Sequence, residues 1–356
     1  MTQLLVSKGI FPREYLSDTV DYIASQQEPD GAIPWFDGGV VDPWNHVEAA
    51  MGLSIGGRHL EAARAYEWMV RMQLENGSWM ASYRRGRVED GTRAETNFVA
   101  YVVTGVWIHY LITRDDGFLA DVWPMLHRAM TFVTRLQTDH GEIYWALDTR
   151  TGIDRDALIT GCCSIYKSLE CMANIADALD EDCSPWLRAR ERLGHALRHK
   201  PERFDRTWES KNRYSMDWFY PVLSGVLHGH AAEERLNVRW KDFVVSSLGC
   251  RCVVHEPWIT VAESCELTMA LIAVGDQSNA ARMFSWLHDY RRSDGSWWTG
   301  YVYPDSAIWP EECPTWTAGA VLLAADALAG YSAASNVFTE VSLPETTQHS
   351  KGLHYR

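Results

Sequence analysis

The 356-residue chain has no excess of basic charge: 33 Lys and Arg stand against 47 Asp and Glu, a net charge of −14. Phosphate binding needs a basic face, so no nucleic acid is expected as partner. There is no run of about 18 apolar residues, so no membrane span is expected. The opening residues, Met1 to Lys8, lack the basic region and long apolar core of a signal peptide. The eight cysteines lack any regular disulfide-like spacing, which points to reduced thiols and a cytoplasmic setting. Cys162 and Cys163 are adjacent, and Cys250-x-Cys252 has no second close pair and no His at finger-like spacing, so no metal is expected. A Gly-rich phosphate loop and a nucleophile elbow are also missing, and no cofactor is read.

What is present is a large apolar fraction, 46%, with 17 Trp, enough to cover a sizeable core. There is also a repeat. Gln73-Leu-Glu-Asn-Gly-Ser-Trp79 closes one helix-like segment with an Asn-Gly turn and a Trp. Gln26 to Trp35 carries Asp30-Gly31, Gln137 to Trp145 carries His140-Gly141, and Arg291 to Trp297 carries Asp294-Gly295. Gly supplies positive φ, Asp or Asn tolerates it, and Trp79, Trp145 and Trp297 read as pins that fix the turn to neighbouring helices.

Between these turns, two kinds of helical segment alternate. Amphipathic stretches cover about 12–27, 59–73, 118–137, 185–199, 233–246 and 277–290. Segments apolar on nearly every face begin near 43, 95, 158, 216, 261 and 315. Asp42-Pro43 signals the first of these by cap and first-turn proline. Thr92-Arg-Ala-Glu95 and Thr260-Val-Ala-Glu263 read as capping boxes for two others. The fourth inner segment is read as running to His228, and residues 231–258 are the weakest unit because no Gln…Gly…Trp turn appears there. Six hairpins closed into a ring hide all the apolar faces, so the expected fold is all-α, a single (α/α)6 barrel or toroid over 1–330. Residues 331–356 read as a C-terminal tail or surface strap.

The Gln-x3-Gly-x-Trp-type turn on hairpins of this length resembles the α/α-toroid superfamily, which includes terpenoid cyclases and protein prenyltransferase β-subunits. The six-hairpin glycosidases share a similar barrel. The resemblance implies a fold, and leaves chemistry to the site. The Asp-x-Asp-Asp acid of protonating terpenoid cyclases is not in this chain, and Asp154-Arg-Asp156 is the nearest match.

In such a barrel the starts of the inner helices meet at one mouth. Acids and aromatics gather there. Candidate catalytic residues are Asp217, Glu311, Glu312, Asp42, Glu48, Glu95 and Glu263, with Asp217 and Glu311 or Glu312 as the leading pair. Candidate substrate-binding residues are Trp44, His46, Asn97, Trp218, Tyr220, His255, Trp258, Trp298 and Trp309. Glu266, within an apolar helix, also leans towards function. A sugar-cleaving site needs one carboxylic acid to protonate the leaving oxygen and a second carboxylate to activate water or attack the sugar, with indole faces for the pyranose. The expected function is therefore a carbohydrate-active enzyme, a glycoside hydrolase, acting on a small-molecule glycan. An epimerase, a lyase, or an isoprenoid enzyme using the same aromatic funnel by cation–π contacts is the alternative.

Overall fold

The computed structural model describes residues 16–344. The expected helix start at 12–15 and the tail beyond 344 lie outside the described residues. Six outer helices are α1 (Ser17–Gln26), α3 (His59–Met72), α5 (Asp116–Arg135), α7 (Ser184–His199), α9 (Gly229–Phe243) and α11 (Gln277–Trp286). Six inner helices are α2 (Pro43–Ile55), α4 (Thr96–Thr113), α6 (Ile159–Ala178), α8 (Ser215–Leu223), α10 (Val261–Ala273) and α12 (Thr315–Ala329). The inner helices touch in the closed cycle α2–α4–α6–α8–α10–α12–α2, and α1 packs on both α12 and α2 to seal the ring. The fold is thus mainly α, an α/α barrel.

The sequence pattern explains the layering. In α5 the buried positions Leu119, Val122, Leu126, Ala129, Met130 and Val133 recur at helical spacing and form one stripe. In α4 burial runs round the helix, from Val99 to Tyr110. α8 ends at Leu223, well short of His228: Pro221 stands in its last turns and Gly225 takes φ 76°.

The repeated turns dock each hairpin on the next. Gln73 Nε2 donates to Gly77 O (2.9 Å) and to Met125 O of α5 (2.9 Å). Gln137 Nε2 does the same to Gly141 O (2.9 Å) and Ala189 O of α7 (2.9 Å). In the first copy the residue that does so is Gln27, to Gly31 O (3.1 Å) and Glu61 O of α3 (2.8 Å). Gln26, the residue read from sequence, instead turns to Ser25. Gly31, Gly77, Gly141 and Gly295 all have positive φ, and a Cβ on any of them would overlap backbone of the next outer helix. Two residues past each glycine sits the pin: Trp79 and Trp297, and in the other copies Ile33 and Ile143, all buried. Trp145 is therefore not a pin, which corrects the sequence reading; Ile143 has that place.

Three small antiparallel sheets, which the helical reading of the sequence did not include, frame the mouth. They are β1 (Ser82–Arg84) with β2 (Arg87–Asp90); β3 (Arg93–Glu95), β4 (Ala146–Asp148) and β5 (Gly152–Asp154); and β6 (Val244–Val245), β7 (Gly249–Arg251), β8 (Trp258–Thr260), β9 (Gly300–Val302) and β10 (Ala307–Ile308), in the order β10-β9-β8-β7-β6. Strands this short show no period of two. The β6–β7 hairpin stands in the unit that lacks the repeated turn.

The opposite end is closed by the segment after α12. Lys167 Nζ donates to Glu170 Oε1 (2.7 Å) and to Glu340 O (2.8 Å), and Arg190 Nη2 donates to Glu170 Oε2 (2.7 Å). Ser342 N donates to Glu170 Oε1 (3.0 Å), and Asn174 Nδ2 to Ser342 O (2.9 Å). This buried ion cluster holds the strand of chain across the base.

Candidate active site

The inner helices present acids in two tiers. The upper tier lies at their N-terminal ends. Asp42 caps α2, accepting from Asn45 N (3.0 Å), Asn45 Nδ2 (2.7 Å) and Trp35 Nε1 (2.6 Å). Glu95 is the residue before α4 and is buried; Arg93 Nε donates to its Oε1 (2.8 Å). Burial raises the pKa of both Asp42 and Glu95, and each is offset by its hydrogen bonds or by the Arg93 charge. Glu263 lies in the first turn of α10, half-buried, with Oε2 enclosed and bonded to no protein group. Neither expected capping box forms: the starts of α4 and α10 have no side-chain cap bond. Glu95 and Glu263 are thus free of the structural role that would explain them away. α4 and α10 stand opposite each other in the ring of six, so these two carboxylates come from facing walls.

The lower tier lies one turn deeper. Glu48, Tyr101, Ser164, Tyr220 and Glu266 are each the sixth residue of their inner helix. They line a cavity of about 20 Å³ closed from below by Phe338, room for one water. Tyr101 OH donates to Glu48 Oε2 (2.7 Å), and Tyr220 OH to Glu266 Oε1. Burial, with the charge of Glu263 added, pushes Glu48 up to about 7. Burial and then Glu48 push Glu266 well above the carboxylate range. Two sealed carboxyls this close do not both ionise. Trp44 lies flat on Tyr101, centroids 3.8 Å apart at 5°, and forms part of the mouth above this tier.

Other residues singled out from sequence are placed elsewhere. Asp217 turns sideways to Arg235 of outer helix α9 (3.9 Å), and burial pushes it up to about 6. Glu311 is exposed, and Glu312 offers its backbone O to Thr299 N (3.0 Å). The leading pair read from sequence is therefore not assembled on the axis, because residue 217 is rotated off the face that carries Tyr220. His46 is fully buried, with Nδ1 taking Ile33 N (3.0 Å) and Nε2 facing Ala65 O (3.0 Å); burial lowers it to about 4, and it packs between the inner helix α2 and the outer helix α3. Trp218 is also core, its Nε1 on Arg235 O (2.7 Å) and its ring stacked on Phe243 at 5.2 Å. His255 is exposed on the turn between β7 and β8, and Trp298 lies under the Arg292 guanidinium (4.7 Å). Asn97 Oδ1 is enclosed without a partner. Trp258 and Trp309 meet at the rim. Missed from sequence were Trp35, Trp145 and Trp208. Trp35 bonds Asp42, and Trp145 lies beside the Arg93 guanidinium that holds Glu95 (5.4 Å) and meets Trp208 edge to face at 5.3 Å. The Gln-x3-Gly-x register would have found the first two, since it assigns the pin to Ile33 and Ile143.

Among the described residues no cluster of metal-ligating side chains occurs, and no helix is long and apolar enough to cross a membrane.

An acid-lined, indole-rimmed mouth on an α/α barrel suits a carbohydrate-active enzyme, and solved structures agree on the fold. A glycosidase in complex with glucose superposes with a TM-score of 0.69 at 16% identity, over 90% of this chain and 97% of its own. A D-mannose isomerase gives 0.67 at 11%, over 89% and 96%. No protein-family model matches. The chain is 47% identical over 336 residues to the MMP endo-(1,4)-3-O-methyl-alpha-D-mannosidase of Mycolicibacterium hassiacum, covering 94% of this chain and 92% of that one. It belongs to the family of that enzyme and is a glycoside hydrolase.

Proposed function

We propose that the protein cleaves internal α-(1→4) bonds in a 3-O-methylated mannan, with Glu95 and Glu263 as the acid/base pair. The observation that carries the substrate is the 47% identity across nearly all of both chains. The carboxylate assignment is supported by facing positions on α4 and α10 and by the absence of a capping role for either. Burial favours the protonated form of Glu95, which suits it to give its proton to the leaving glycosidic oxygen. Glu263 then activates water or attacks the anomeric carbon. Asp42, its oxygens occupied by three N–H donors, stays an acceptor that fixes Trp35. The whole ring is one catalytic unit and residues 331–344 are a strap. The free state of all eight cysteines suits a reducing, cytoplasmic compartment. The Gln-x3-Gly turn relates the barrel to terpenoid cyclases as an architectural device, docking hairpins, and carries no isoprenoid chemistry here.

The test is digestion of an α-(1→4)-linked 3-O-methylmannose oligosaccharide by the purified protein. Internal fragments are expected early. Stepwise release of monosaccharide from one end would overturn endo action, and full activity in Glu95→Gln and Glu263→Gln would overturn the acid/base pair.

A further inference from the structure

We propose that two right-angled indole corners, Trp145–Trp208 and Trp258–Trp309, are sugar subsites on opposite sides of the cleaved bond. The proposal rests on the catalytic reading of Glu95 and Glu263, because each corner adjoins one of them. Trp145 adjoins Glu95: its backbone O accepts from Thr96 N (2.8 Å), and the Arg93 guanidinium that holds Glu95 lies 5.4 Å from its ring. Trp258 lies on β8, which leads directly into α10 and Glu263.

Both corners are built. Trp145 is released from the turn because Ile143 is the buried pin. Its partner Trp208 is carried by the loop before α8, and that loop is clamped. Asp156, fully buried, accepts from Ala157 N (2.7 Å), Arg206 N (3.1 Å), Thr207 N (2.5 Å) and Thr207 Oγ1 (2.7 Å). The rings meet at 87° and 5.3 Å. At the other corner Trp258 Nε1 donates to Trp309 O (2.7 Å), the rings meet at 74° and 5.1 Å, and Trp309 remains 57% exposed. The exposed indole face is open to stack on a ligand.

A right-angled corner suits a methylated pyranose. One ring stacks on the apolar face of the sugar, and the other meets its edge, where a methyl ether replaces a hydroxyl and asks for no hydrogen bond. A chain seated in both corners has sugars on either side of the bond between Glu95 and Glu263. Cleavage is then internal by construction.

The experiment compares Trp208→Ala and Trp309→Ala on a short and a long α-(1→4)-linked 3-O-methylmannose oligosaccharide labelled at the reducing end. Each variant is expected to raise KM for the long substrate roughly fivefold to tenfold, to lower the preference for long over short, and to displace the cleavage position, the two in opposite directions. Equal losses on both lengths, or displacement in the same direction, would overturn the proposal and leave packing as the role. Tryptophan-fluorescence quenching by the long oligosaccharide is measured in parallel. If Glu95→Gln and Glu263→Gln remain active, the catalytic reading fails, while weaker quenching in Trp208→Ala and Trp309→Ala still supports the corners. Quenching equal to the parent's overturns them.

Discussion

Glu263 and Glu266 lie one turn apart on α10, yet the first opens on the mouth and the second is sealed beneath it. Glu263 keeps an oxygen with no protein partner, whereas Glu266 is held by Tyr220 and raised by Glu48. The same contrast separates Glu95, at the start of α4, from Glu48 on the neighbouring α2. What distinguishes a reactive acid from a packed one here is depth along the barrel and which donors it meets. A third group at the base, Lys167, Glu170 and Arg190, shows another solution: charge buried but matched. Each group makes a different demand on mutation, so variants can break the comparison.

The largest effect should come from the mouth. Glu263→Gln should lower kcat by about 10²–10⁴-fold with an unchanged circular dichroism spectrum, while Asp217→Asn, placed against Arg235, should cost far less. Activity lost only in the Asp217 variant would reverse the ordering of the tiers. Next comes the base. Glu170→Ala leaves Lys167 and Arg190 buried without their anion, and urea unfolding should show a loss of about 3–5 kcal/mol. A negligible loss would mean that the strap is not held by charge. At the turns that brace the mouth, Gly77→Ala forces a Cβ at φ 93° into the carbonyl of Arg128. A drop of about 2–3 kcal/mol is expected, and a neutral result would remove the docking role of the repeat.

The smallest effect should separate the tiers by pH. Glu48 sits at about 7 in the fold against an unfolded value near 4.5. A raised carboxyl binds its proton more tightly when folded, so it contributes no penalty below about 4.5, a growing one between about 4.5 and 7, and a constant one above that. Glu48→Gln removes that penalty. Relative to the parent it should gain stability at pH 8 over pH 4, by up to about 3 kcal/mol, read from denaturation midpoints at the two pH values. A gain at pH 4 in place of pH 8 would have the wrong sign and would reject a protonated lower tier.

Much of the ring was legible beforehand. Alternating amphipathic and all-round apolar segments fix six hairpins, because neither kind can hide its surface alone. The inner starts at Pro43, Ser215, Val261 and Thr315 follow from caps, prolines and the change of periodicity. The site was legible only in part. Composition put acids and indoles near the inner starts, but rotation about each helix decides which face the axis. That rotation turns Asp217 and Trp218 outward while it brings Tyr220 in, and it places His46 between layers. The short strands around the mouth left no periodic trace at all.

The sequence by itself determined the six-fold helical ring, since a repeated turn and a repeated apolar face admit few closed arrangements. It also determined that carboxylates and tryptophans cluster at one end. Only the tertiary structure decided which acids share an enclosed tier and which are open, and which indoles are pins and which form corners. Those properties depend on neighbours brought from distant hairpins, and no local spacing encodes them.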